Sequence, residues 1–287
     1  MLSSGYYWDD SLNSLTRGLL LEKHTTLYGF IEDYVSQWVH GGRFFPLSSY
    51  TYALFVVSNL FSYKLFVMVL TLADILLLGY LVKIITDSDG LALLTCLLTP
   101  ILFQFRTSAD PILGFGALLP LVLLTTILSL IFLTLFLKGG ARSLLALSLV
   151  FYLLGLWTYE ITYTFFLLHL VIIIFFLGKK AKAAIIRTIL PFAGLSLFSI
   201  MIAFSLRFVF NVPVNGGTGA YVPNFNVSKI FLTWLRQTSA TFPMTFTYRH
   251  ADLFQGFLGF MKARPLLAKT GTIIAAMENS RRRFQER

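Results

Sequence analysis

LALLTCLLTPILFQFRTSADPILGFGALLPLVLLTTILSLIFLTLFL, residues 91–137, contains two charged side chains, Arg106 and Asp110. At 1.5 Å per residue, one helix of this length would reach ~70 Å, more than twice the ~30 Å of a bilayer's hydrocarbon core. The run therefore predicts two crossings joined by a turn. The polar segment RTSADP (106–111) is the natural turn, because a charged, proline-containing stretch is far cheaper at the interface than in hydrocarbon.

The same reasoning extends in both directions. Residues 143–178 hold a single charged side chain, Glu160. Two short helices meeting near 157–160 (WTYE) place it at the membrane edge. Upstream, residues 65–85 form one span with Asp74 at its centre, followed by the polar link TDSDG (86–90). Downstream, residues 188–210 form another, with Pro191 in its first turn and Arg207 near its end. About six spans fit residues 65–210. If the basic links 138–142 (KGGAR) and 179–187 (KKAKAAIIR) are cytoplasmic, parity puts 86–90 on the same side. Residues 1–64, both turns and everything after 211 are then external.

Composition supports this reading. Of 287 residues, 56% are hydrophobic and 13% charged, about half the ~25% charge of ordinary soluble domains. A soluble enzyme, a nucleic-acid-binding domain and a disordered chain are excluded. The net charge of +10 does not imply nucleic acid. Its excess lies mainly in residues 211–287, and the remaining cations flank apolar runs, where they anchor spans. The lone Cys96 permits no intramolecular disulfide and no cysteine metal site, and is expected in the core. Asp9 and Asp10 occupy the place where a signal peptide would have its apolar region.

Residues 1–64 are not a span. Leu15, Leu19, Leu20, then Leu27, Phe30, Ile31, Tyr34, Val35 and Trp38 recur at helical spacing. They predict amphipathic helices on the membrane surface, broken by GGRFFP (41–46). Residues 50–61 are apolar but too short to cross, and read as re-entrant or interfacial. After 211 the pattern loosens into a Gly/Pro/Asn-rich loop (212–226) and segments too short or too charged to span. The domain reading is an external and interfacial loop (1–64), a transmembrane bundle (65–210) and an external C-terminal segment (211–287). The fold class is all-α, a polytopic helix bundle with an interfacial helical N-terminal loop.

Five places could carry chemistry. Asp9 and Asp10 are adjacent carboxylates among Tyr6, Tyr7 and Trp8. Paired acids can share a proton, hold a divalent ion or deprotonate a hydroxyl, or one of them simply caps the following helix. Arg43, fixed between glycines and Phe44-Phe45-Pro46, can pair with a carboxylate or a phosphate, or snorkel. Arg106 and Asp110 either pair across their turn or frame a polar ligand. Tyr159-Glu160 tips an uncharged hairpin, and Glu160 needs a cation, with Arg43, Arg106 and Arg207 as candidates. Asp74 is expected on a bundle-facing surface, hydrogen-bonded or protonated, and His169 in the core. No His/Cys metal spacing, phosphate-cradling glycine loop or nucleophilic serine motif is present.

Taken together, Asp9-Asp10 in an aromatic external segment, GRFFP (42–46), YTYALF (50–55), and RTSADP and WTYE at external turns resemble the GT-C superfamily of integral-membrane glycosyltransferases. The resemblance covers about residues 5–230. It implies transfer of a hexose from a polyprenyl-phosphate-linked sugar donor to a glycan or lipid acceptor of the cell envelope, with inversion. It implies Asp9 or Asp10 as general base, or as ligand to a divalent cation where a member uses one. It also makes Arg43 and Arg106 candidates for holding the phosphate. Asp110, Tyr159 and Glu160 would bind sugar hydroxyls or orient the arginines. A bacterial plasma membrane with an external active face is the matching location. Members carry a span before the acidic loop and more spans after, so the chain reads as a fragment of such a protein. A transporter or flippase of a lipid-linked or small polar substrate, and a non-catalytic membrane protein, are the rival readings.

Overall fold

The computed structural model describes residues 14–102, 117–178 and 181–212. These are helical throughout, with no strand among them. Two short helices come first, α1 (Thr16–Glu22) and α2 (Leu27–His40). The Thr26 side chain starts α2 by accepting the Gly29 N–H at 3.1 Å, which satisfies one of the N–H groups that a helix start leaves unpaired. A 3-10 turn at Pro46–Ser49 leads into α3 (Tyr50–Val57).

Six apolar helices follow: α4 (Leu60–Thr86), α5 (Asp89–Leu102), α6 (Leu118–Gly139), α7 (Arg142–Thr158), α8 (Phe166–Leu177) and α9 (Lys182–Val209). A 3-10 turn, Glu160–Thr164, joins α7 to α8. Among the described residues four stretches are long and apolar enough to cross a membrane: α4, α6, the turn plus α8 (Glu160–Leu177), and α9. Such a set marks a membrane protein. The other two expected crossings are shorter. α7 has 17 residues and α5 has 14, a rise of only ~21 Å for α5.

The bundle is built around α6. Its Ile127, Leu130, Ile131 and Leu133 pack with Leu81 of α4, Tyr152 and Leu156 of α7, Ile172 and Ile173 of α8, and Phe192 of α9. Lipid is as apolar as leucine, so packing and hydrogen bonding hold such helices together. Thr125, Thr126 and Thr134 of α6 are buried but donate back to their own helix, at Val122 O and Leu130 O. Ser129 of α6 and Ser148 of α7 each donate to the other's backbone carbonyl at 2.7 Å. His169 is fully buried, as expected, with Nδ1 at 3.0 Å from Phe165 O and Nε2 at 2.8 Å from Ser129 Oγ. The outer faces of α8 and α9 show Val171, Phe175, Leu190, Leu197 and Phe208, side chains suited to acyl chains.

The helices run alternately between two ends. At one end, Lys83 pairs with Asp89 at 2.6 Å and Lys138 with Asp87 at 2.7 Å, joining the links that follow α4 and α6. At the other, the N-terminal helices dock. Tyr50 Oη donates to Ala117 O at 2.5 Å, just before α6, and the His40 ring meets Phe210 beyond α9 in a tilted contact, 4.4 Å between centroids.

Several expectations need correction. The first span starts at Leu60, because Asn59 caps it by accepting the Ser62 N–H at 2.8 Å. α9 starts at Lys182, so two-thirds of the basic link is helical and Pro191 lies in the helix interior. Cys96 is only half-buried. It sits at the α4–α5 contact and its Sγ donates to Ile75 O at 3.6 Å. The 106–111 turn and the chain beyond 212 lie outside the described residues.

Candidate functional site

GGRFFP shapes the site. α2 ends at Gly41, and Gly42 has φ +73°, a left-handed conformation that glycine alone adopts without strain. Space demands glycine here as well. A Cβ on Gly42 would strike the Arg207 side chain, with Arg207 Cα itself at 3.3 Å. The reversal turns Arg43 back beneath α2. Its guanidinium carbon lies 4.4 Å from the Trp38 ring centroid and 4.9 Å from that of Phe45, close enough for cation–π attraction to both.

Stacked there, the guanidinium faces Glu160. Its Nη2 donates to Oε1 at 2.7 Å and its Nε to Oε2 at 3.3 Å. Two-point contact of this kind is the strong form of an arginine–carboxylate pair. The side chains are 12% and 32% exposed, so water screens the pair less than it would at an open surface. Glu160 gets its position from α7, which ends at Thr158 where Tyr159 turns extended, and from the 3-10 turn that begins at Glu160 itself. Tyr152 pins that turn by donating its hydroxyl to Thr162 O at 3.2 Å and bonding Ser196 Oγ of α9 at 2.5 Å. Tyr159 completes the aromatic wall, 5.9 Å from Phe45 between centroids.

Beside the pair lies a cavity of about 180 Å³, room for about six waters. Its polar side is Arg43, Glu160, Tyr163 and Arg207, and its apolar side is Ile200, Ala203 and Phe204 of α9. Arg207 donates through Nε to Gly42 O at 3.4 Å. No carboxylate among the described residues pairs with it. The described lining therefore holds two guanidinium groups against one carboxylate.

Of the residues expected from the sequence, the structure brings Arg43, Tyr159 and Glu160 together. Asp9, Asp10, Arg106 and Asp110 lie outside the described residues. Arg43, left open by the sequence to a carboxylate or a phosphate, pairs with a carboxylate. Among the described residues Arg207 faces the cavity with no carboxylate of its own, and the sequence reading weighed it only as a partner for Glu160. Its signal was a basic residue in the last turn of a span. Lys64 was passed over entirely, yet it is 2% exposed on the inward face of α4. Among the described residues no group of three or more His, Cys, Asp or Glu is placed to hold a metal ion. Asp9 and Asp10, for which the resemblance gives metal binding as the alternative to a general-base role, are not among them.

The chain matches no family model, no curated protein and no solved structure.

Proposed function

We propose that this chain is a membrane glycosyltransferase of the GT-C type, acting on a polyprenyl-phosphate-linked sugar at the end of the bundle where Arg43, Glu160 and Arg207 meet. One observation carries the reading. The cavity joins an arginine that pairs with no carboxylate among the described residues to an apolar helix wall. That pairing suits a phosphate with a hydrocarbon tail, and a fixed cation there would stabilise the charge that grows on a departing phosphate oxygen. The acceptor hydroxyl oxygen attacks the anomeric carbon, the bond from that carbon to the phosphate oxygen breaks, and Asp9 or Asp10 takes the hydroxyl proton. The configuration inverts. The site end faces outward from a bacterial plasma membrane, since the basic links lie at the opposite end, and the acceptor is an envelope glycan or lipid.

The test uses the full chain in proteoliposomes with a radiolabelled polyprenyl-phosphate hexose. Release or transfer of label by the wild type, lost in Asp10→Asn or Asp9→Asn and lowered in kcat by Arg207→Met, is the expected result. A wild type that neither binds nor turns over any such donor would overturn the reading.

A second reading, transport of a polar substrate, is favoured by one feature: a carboxyl buried at mid-span, Asp74 (3% exposed). It predicts loss of flux in Asp74→Asn with Asp10→Asn tolerated.

A further inference from the structure

Asp74 lies near the middle of α4, a 27-residue apolar helix long enough to cross a membrane. It shares the inward stripe of Tyr63, Val67, Leu70 and Leu81 and is 3% exposed. Its Oδ1 has no hydrogen-bond partner. Among the described residues the helices packed on α4 are α5 and α6, with α3 against its first turns. The charged and titratable groups of α5 and α6 are Asp89, Cys96 and Lys138, and α3 carries tyrosines at 50 and 52 but no charge. Asp89 is taken by Lys83 and Lys138 by Asp87, both at the end of the bundle. Cys96 points its Sγ at Ile75 O. On α4 itself, Lys64 and Lys83 stand ~15 Å and ~14 Å away along the axis. Among the described residues, then, no cation meets this carboxyl.

An ionised carboxylate in that position would give up its hydration and gain no countercharge. That costs far more than leaving one neutral acceptor unmet. The site is too closed for an organic ligand, and among the described residues no cluster of His, Cys, Asp or Glu joins it to hold a metal. The proton is the ligand small enough to enter. We propose that Asp74 is a proton-binding site within the bilayer, a neutral carboxylic acid shielded from both aqueous faces. The inference stands apart from the glycosyl-transfer reading, because Asp74 does not line the Arg43–Glu160 cavity.

Carbodiimides test this directly, since they consume a protonated acid. The acid proton goes to one carbodiimide nitrogen, the carboxyl oxygen bonds the central carbon, and the acyl group then shifts from oxygen to nitrogen. The product is a stable N-acylurea carrying the whole reagent, with nothing lost. The full chain in phospholipid nanodiscs at neutral pH is treated with apolar dicyclohexylcarbodiimide or with a water-soluble cationic carbodiimide, then digested and read by peptide mass. Expected is an adduct on Asp74 from the apolar reagent alone, absent in Asp74→Asn. Infrared difference spectra of wild type against Asp74→Asn give a second readout, the carbonyl band of a neutral acid. That band supports the proposal even where close packing keeps the reagent out. Modification of Asp74 by the cationic reagent, or a carboxylate band in place of the acid band, overturns it.

Discussion

At the scale of single residues, the Arg43–Glu160 pair shows how burial changes what an ion pair is worth. Removing one member leaves the other half-buried and unmatched, a cost of about 1–3 kcal/mol. Glu160→Gln and Arg43→Met are each expected to lower the unfolding midpoint in detergent. The double variant should be less unstable than the sum of the two, because the interaction is lost only once. Strict additivity in that cycle would mean that the pair carries no coupling. Gly42 makes a sharper case. Gly42→Ala must accept a left-handed φ and push aside Arg207, with about 1–3 kcal/mol from the backbone alone. It should destabilise the chain more than Gly194→Ala, where a Cβ meets nothing within 4 Å. Equal effects of the two substitutions would contradict the close approach of Arg207.

At the scale of elements, the helix ends follow local rules and the contacts between helices do not. Asn59 caps α4, so Asn59→Ala should cost about 1 kcal/mol, read as a drop in thermal midpoint. Asn59→Asp, which keeps an acceptor, should recover most of it. Gly79 is where α5 rests on α4. A Cβ there would collide with Cys96 Sγ and come within 3.2 Å of Ala92 O. Gly79→Leu should therefore displace α5 and raise the reactivity of Cys96 toward a thiol reagent. Unchanged Cys96 reactivity in Gly79→Leu would mean that α5 does not sit on this turn.

At the scale of the whole molecule, charge sorts to the two ends. Lys83, Asp87, Asp89 and Lys138 pair at one, and Arg43, Glu160 and Arg207 meet at the other. In a Cys96→Ser background, Ala141→Cys and Ile161→Cys are expected to react with an impermeant maleimide from opposite faces of sealed vesicles. Labelling of both from one face would contradict the alternation of α6, α7 and α8.

The apolar runs were legible because the length of a crossing is set by bilayer thickness and needs no knowledge of partners. Residues 91–137 could not be one helix, and GGRFFP could not continue one. Span boundaries were less legible. Asn59 extended α4 backwards and Lys182 began α9 early, since lysine and asparagine are read as interfacial until the cap or the neighbouring turn is seen. Glu160 announced by its isolation that it needed a cation. Which of three arginines would answer was a matter of chain reversal at Gly42 and of the phase at which α7 stops. Arg207 as a cation facing the cavity, and Asp74 Oδ1 without a hydrogen-bond partner, likewise arose from packing. The sequence alone determined that the chain is helical, apolar and built to cross a membrane, because composition and run length report the solvent directly. The tertiary structure decided which charges meet and which are left alone, because a pair between residues 117 positions apart exists only once the bundle has brought them together.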